Sequence, residues 1–579
     1  MRGTGKNRPW LLLLAGLLVA NSAYLASDGD PHPFYFANLL LHLGLGLLLI
    51  LPFIAWWWRR RHRRMILAAG LSLLAGTGCG LALAWLGNLT PLRPLLWAHI
   101  ALSAAGLVAL LLAQAGHRAL LLWRLAGAGL ALALVVPTLV ALTGSGRGDG
   151  TIGNPPAPAT MAEEAMGGAD GPFFPSSVHT ANGGTVPSSV YLKSDSCARS
   201  GCHPDVYDQW EQSAHHFSSF NNQWYRRSVE YMQEVAGVQP SKWCGGCHDP
   251  AILQSGMMDT PIEEILFTEE AQAGLGCTAC HMISDVGSTM GQGDYEITVP
   301  PLHDLATSDN RWLQMAHDML VRLDPEPHRR TFIKPFMSES EFCSSCHKVH
   351  LDVPVNSYRW IRGFNTYDNW QASGVSGQGA RSFYYPAEPM KCIDCHMPRV
   401  PSEDAANENG LIQSHRFATA NTALPTANRH QEQLDEVTRF LQANQVTVDI
   451  FAMTEAQPLL DGGSGPRREG PELATAFAVG EEQGMAVGRG MARAGPAETL
   501  FGPLDRIPAT VRRGESTRVD VVVRTRGVGH FFPSGTVDAF DCWLELKAED
   551  ETGRVVFWSG MADEQSPVEP GAHFYRALL

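Results

Sequence analysis

Five short stretches of the chain bring together residue types that could do chemistry, and four share one spelling. They are "CGGCH" at 244–248, "CTACH" at 277–281, "CSSCH" at 343–347 and "CIDCH" at 392–396. A chain of 579 residues with 12 Cys and 21 His would yield on the order of 0.01 such units by chance. Covalent haem attachment explains the spelling. Two thiols must reach the two vinyl groups of one porphyrin, and the next residue must turn its imidazole onto the iron. The thioether positions are Cys244, Cys247, Cys277, Cys280, Cys343, Cys346, Cys392 and Cys395, and the proximal ligands are His248, His281, His347 and His396. Zinc would call for four ligands and would not require a His after every second Cys. Disulfides between such near neighbours would close only tiny loops, with little entropic gain.

The fifth stretch, "CARSGCH" at 197–203, puts four residues between its cysteines. It ends in Cys-His like the others and lies upstream of them at similar spacing. Two extra residues can bulge outward while both sulfurs stay near the porphyrin edge. Cys197, Cys202 and His203 are therefore read as a fifth haem site, with zinc as the rival. An iron that only carries electrons needs a second axial ligand, and eleven histidines lie outside the motifs in the part of the chain after residue 143. This supply favours bis-imidazole ligation at most sites, which leaves no open position for a substrate.

"CHPDVYDQWEQSAHHF" resembles the Cys-His followed by Trp-x-x-Ser-x-His of multihaem c-type cytochromes in the hydroxylamine oxidoreductase and pentahaem nitrite reductase superfamily. "CIDCHMP" followed by "SHRF" resembles the last haem site of that superfamily and the His downstream of it. The resemblance spans about residues 191–430. It implies that His215 and His415 are distal ligands to haems other than those they follow. His317, His303 and His350 complete the preferred distal set, with His216 as the substitute for His215. His530, in "GHFFPSG", is read as a structural loop residue in preference to a ligand. Pentahaem nitrite reductases typically present a Lys in place of one motif His, whereas all five motifs here end in His, which argues against the reductase reading.

The elements that must position these motifs fall into differently solvated parts. Residues 1–143 hold eleven Lys and Arg against two acids, a charge of +9, which leaves −23 for the remainder of a chain at −14. Five apolar runs, 10–26, 34–58, 65–86, 91–115 and 119–143, each approach the roughly 20 residues needed to cross a bilayer. The expectation is a transmembrane bundle of about five helices. Basic residues 2–8, 59–64 and 118–124 flank alternate ends, so the positive-inside rule puts the amino end in the cytoplasm and the chain after Thr143 outside. His42 and His99 each sit eight residues in from the outer ends of their runs, about 12 Å deep. Ionisable residues at that depth are usually functional. The two imidazoles are candidate ligands of one b-type haem, with Gly44, Gly46 and Gly106 leaving room for the porphyrin. Structural histidines or a quinone site are the alternatives.

Residues 144–190 are rich in Gly, Pro, Ala and Ser and read as a flexible linker. Residues 191–430 read as a pentahaem domain of short helices and loops, in which "RWLQMAHDMLVRL" is the clearest helix. Residues 431–579 read as a helix and then an antiparallel β-sandwich, possibly truncated, with a Gly-rich insertion at 460–500 and a hairpin turn at Glu551–Gly553.

The whole is a mixed multidomain chain. Its expected function is membrane-anchored electron transfer, from the quinol pool to a periplasmic or extracellular acceptor, at the bacterial inner membrane with the haem domain on the periplasmic side. No nucleic acid is expected as a partner. The alternative is an oxidoreductase acting on small nitrogen or sulfur compounds at one open haem. Replacing both Cys197 and Cys202 with Ala should lower the pyridine haemochrome count from five covalent haems to four. A count of four in both proteins would show that the stretched motif carries none.

Overall fold

The computed structural model describes residues 9–27, 32–114, 152–380, 386–455, 500–512, 514–515, 517–535, 542–562, 567–569 and 571–575. Four apolar helices open the chain: α1 (Pro9–Ser27), α2 (Pro33–Trp58), α3 (Arg64–Leu86) and α4 (Arg93–Gln114). Three spans, Pro33–Trp58, Arg64–Leu86 and Thr90–Ala113, are long and apolar enough to cross a membrane. The run at 119–143 lies outside the described residues, so a five-helix bundle is not seen; four of the five expected helices are.

Small and polar side chains stitch the helices in pairs. Asn21 on α1 donates to Asn38 on α2 (2.8 Å), and the Ser72 hydroxyl on α3 donates to the Leu102 carbonyl on α4 (2.7 Å). Gly106, expected beside a porphyrin, instead allows α4 to close on α3, since a Cβ there would lie 2.6 Å from Leu73. At the basic end, Arg60 and Arg61 lie over the rings of Trp56 and Trp58. At the opposite end two connections, the entry into α2 and the turn between α3 and α4, meet the motif-bearing part of the chain. The Asn88 amide donates to the Arg322 carbonyl (2.6 Å), the Tyr35 hydroxyl to Asp324, and Arg93 pairs with Glu326 at 3.6 Å.

The stretch expected as a linker is in its later part a packed layer. Phe173, Val178, Val186 and Val190 are buried in one core with Ile252, Met258, Ile262, Met282 and Ile297. Its glycines and prolines shape turns between buried side chains, a use of these residues that composition does not separate from flexibility. Around this core the chain forms short helices joined by loops. Helices α5 (Arg311–Leu323) and α6 (Pro325–Phe332) adjoin, and the Asp324 side chain caps α6 by accepting from the Glu326 amide. The first of them is the helix read from "RWLQMAHDMLVRL".

Residues 1–438 with 529–579 form one compact unit, and residues 439–528 form a second. In the second, strand Val446–Glu455 pairs antiparallel with Thr517–Thr525 and with Leu500–Phe501. In the first, Leu546–Glu549 and Val555–Ser559 form a hairpin, and Cys542–Leu544 pairs with His573–Tyr575. The hairpin turns where expected, with the Gly553 amide donating to the Asp550 carbonyl (2.9 Å). Among the described residues these strands make sheets of two and three, not one sandwich. Alternating residues identify a strand, but its pairing partner is chosen by non-local packing. The insertion at 460–500 lies almost wholly outside the described residues.

Candidate haem-binding centres

The regular motifs are short helices or turns, except that "CGGCH" is the last part of the helix Val238–His248, and His248, His281 and His396 are half-buried. In "CSSCH" the His347 amide donates to the Cys343 carbonyl (2.9 Å), four residues back. "CARSGCH" closes the same way over a longer loop: the His203 amide donates to the Cys197 carbonyl at 3.1 Å. Arg199, Ser200 and Gly201 are looped out, with Ser200 (φ 61°) and Gly201 (φ 73°) in left-handed backbone. The stretched motif therefore reaches the local geometry of the regular ones.

Four of the five motif histidines face a second imidazole. Ring centres are 6.3 Å apart for His203 and His328, His347 and His215, and His281 and His415, and 6.2 Å for His396 and His530. A metal–imidazole bond is about 2 Å and the ring centre lies about 1 Å beyond the nitrogen, so two imidazoles on one iron have centres about 6 Å apart. The spacing fits a six-coordinate haem iron.

Hydrogen bonding fits as well. The Nδ1 atoms of His248, His281 and His396 bond to the carbonyls of Ser218 (2.9 Å), Phe332 (2.7 Å) and Ala418 (2.8 Å). Those of His415 and His530 bond to the carbonyls of Gln413 (2.9 Å) and Phe531 (2.8 Å). A tethered Nδ1 fixes the tautomer and leaves Nε2 as the metal-binding lone pair. Burial, helped by neighbouring imidazoles, pulls His215 and His328 down to about 3 and His281 and His347 to about 4. All four are neutral at physiological pH, as ligands must be. His203 differs, because its Nδ1 bonds to the buried carboxylate of Asp404 (2.9 Å), a partner that makes an imidazole a stronger donor to iron than a carbonyl does.

His248 is the exception. Among the described residues no second imidazole faces it. The Tyr225 ring lies parallel to its own at 4.3 Å, and the Tyr225 hydroxyl donates to Asp249. Asp249 is buried, which pushes its carboxyl up to about 7 against the opposing hydrogen bonds of Ser219 and Tyr225.

The motifs also touch one another. The thiols of Cys197 and Cys277, of Cys247 and Cys346, and of Cys343 and Cys392 lie side by side. A serine three residues before the first Cys of a motif locks two of these contacts. Ser194 accepts from the Cys277 amide (3.2 Å) and Ser340 from the Cys392 amide (3.1 Å). Motifs one, three and four thus form a line with two and five attached at four, since Cys280 lies beside Cys346.

His215 and His415 face motif histidines distant in sequence. Gly274 (φ 59°) permits the approach that seats His215, for a Cβ there would lie 1.9 Å from the His216 carbonyl oxygen. The structure does not bring His303, His317 or His350 opposite any motif histidine. His317 bonds to Asp318 (3.1 Å), and His350 is buried 3.2 Å from Glu164. His303 is buried with its Nε2 unbonded, and His216 bonds to the Glu211 carbonyl (2.7 Å) against Trp210. The sequence reading passed over His328 and treated His530 as structural. A signal was available: the four facing pairs are separated by 125 to 134 residues along the chain, so one pair implies the offset of the rest.

In the apolar half, His42 and His99 also lie with ring centres 6.3 Å apart. His99 Nδ1 bonds to the Gly76 carbonyl (2.7 Å), and His42 Nδ1 lies 3.2 Å from the Ser22 hydroxyl. Gly80, which the sequence reading missed, makes room for the His99 ring, 2.8 Å from where its Cβ would stand. Gly44 and Gly46 face open space.

Residues 196–282 match the family model of cytochrome c554 and c-prime. The match covers the first three motifs and supports a c-type cytochrome with covalently bound haem c. No curated protein and no solved structure gives a match.

His328→Ala and His530→Ala should each convert one low-spin haem to high-spin in the oxidised protein, read by electron paramagnetic resonance. His303→Ala, His317→Ala and His350→Ala should leave the low-spin count unchanged. A conversion in any of the last three would overturn the pairing.

Proposed function

We propose that the protein is a membrane-anchored pentahaem cytochrome that takes electrons from the quinol pool and delivers them to an extracytoplasmic acceptor. The observation that carries this reading is the set of four imidazole pairs spaced to fill both axial positions of an iron. Haem, when bound, supplies reversible one-electron transfer. The chain's part is to close those four sites to substrate, hold their ligands neutral, and keep neighbouring motifs in contact so that electrons pass between them. The acceptor is not a property these residues encode.

Support for membrane access comes from His42 and His99, whose spacing matches that of the other pairs, and we propose them as the ligands of one haem b near a quinol site. A quinol oxidised there gives up two electrons, one at a time, and two protons. Both connections that meet the motif-bearing unit lie at the end of the helices opposite the basic loop, which favours a bacterial inner-membrane protein with its haem domain on the periplasmic side. In this reading 1–143 is the membrane domain, 191–430 the haem domain and 431–579 an accessory region, within the superfamily of hydroxylamine oxidoreductase and pentahaem nitrite reductase.

A second reading has its own observation. His248 lacks a facing imidazole among the described residues, so its iron would keep a position open for a small nitrogen or sulfur compound. Two measurements separate the readings. His42→Ala or His99→Ala should abolish b-type absorption and quinol-driven reduction of the c haems while dithionite still reduces them. Undiminished quinol-driven reduction in both variants would remove this access route. The oxidised protein should show one high-spin haem per chain. A shift of that signal with nitrite or hydroxylamine, followed by turnover, would favour the enzyme, and an all-low-spin spectrum would exclude it.

A further inference from the structure

The two residues that lengthen the first motif have partners, and all but the Ala306 carbonyl lie on one helix. The Arg199 guanidinium donates to Asp318 (3.2 Å) and to the Ala306 carbonyl (2.8 Å), and the Ser200 hydroxyl donates to Asp318 (2.7 Å). Arg322 in turn donates to the Ser200 carbonyl (2.7 Å). Asp318 and Arg322 lie on one side of α5. On another side Leu320 is buried against Tyr35 and Phe36 at the start of α2, while the Arg322 carbonyl accepts from Asn88 between α3 and α4. The helix is therefore held between the looped-out residues and the ends of two membrane helices.

Its remaining side is apolar and bare. Trp312, Met315 and Met319, at helical spacing, are 76%, 50% and 47% exposed. This stripe adjoins Leu320, so it continues the surface that α5 presents to the membrane helices. Phe34, Trp85 and Trp97, near that same end of α2, α3 and α4, are also exposed, as an aromatic belt at a membrane interface would be.

We infer that α5 is an interfacial helix: Trp312, Met315 and Met319 lie among lipid headgroups and upper acyl chains, while Asp318 and Arg322 grip the inserted Arg199 and Ser200 and fix the first haem site at the membrane surface. The inference rests on the membrane reading above. It gives the long spelling of the first motif a purpose, since a two-residue spacer has no residues to offer Asp318 and Arg322. A helix whose exposed stripe carries a Trp and two Met, bordered by the charged pair Asp318 and Arg322, is suited to lie at the interfacial plane with its charged edge toward the headgroups. The site nearest His42 and His99 is then fixed independently of any linker, because His328 on α6 follows Asp324 and Glu326, which are bonded to Tyr35 and Arg93.

The test uses the full chain in nanodiscs of phosphatidylethanolamine and phosphatidylglycerol. A benzophenone amino acid at position 315, and in a second variant at 319, should form lipid adducts on illumination, detected by mass spectrometry. The same probe at position 267, where Phe267 is 93% exposed, should form none. Adducts from 315 and 319 to a second copy or another protein, or none at all, would overturn the inference. Extraction of the wild-type chain from membranes by alkaline carbonate would instead overturn the membrane reading itself, so the two failures are distinguishable.

Discussion

The architecture depends on one repeated constraint: two neutral imidazoles must meet across a gap the width of an iron and its two bonds. Each meeting joins segments 125 to 134 residues apart. Closing loops of that length costs conformational entropy that short helices and small sheets recover poorly on their own. Porphyrins, once attached, would add apolar surface and metal–ligand bonds where the chain is weakest. The partial burial of most of these imidazoles and the anchoring of half of their Nδ1 atoms to carbonyls show how the polypeptide prepares the meetings.

The departures from the repeated pattern fall where the chain has something other than conduction to arrange. Three motif histidines lean on backbone carbonyls, but His203 leans on the carboxylate of Asp404, and the same motif carries the inserted pair that meets α5. His248 has an aromatic ring beside it and a buried acid next to it in sequence, with no facing imidazole among the described residues. Differences in hydrogen bonding and burial around haem ligands are also the means by which a relay would set the potentials of its centres. Here the ligand environments differ at the site nearest the membrane helices and at one of the two attached to motif four.

How much of this was legible in the sequence follows from the range of the physics involved. Cys-x-x-Cys-His is dictated by the porphyrin's own dimensions, so its spelling is local and readable. The apolar helices are readable because hydrocarbon tolerates little else. Strand-like runs after residue 430 were legible, among them those at Val446–Glu455, Thr517–Thr525 and Val555–Ser559, while their distribution over separate sheets depends on contacts no short window contains. His328 and His530 were missed for the same reason. Each is set by where a distant loop arrives, as His350 and His317 show from the other side: they sit near a motif or on a well-formed helix, yet they satisfy a carboxylate. Residues 161–190 misled through composition, because turns between buried residues use the same amino acids as a tether.

The last facing pair has a consequence for how such a chain is made. His396 belongs to the final motif, but His530 lies beyond the entire unit 439–528. A nascent chain that emerges from its amino end presents the fifth motif for attachment long before its opposing ring has been synthesised. During that interval a haem held there would lack its second imidazole. The seating of the segment around His530 would supply the missing ring, and it must wait until the unit 439–528 has been made. Arrival of this later segment, rather than attachment of the cofactor, would then complete the fifth site.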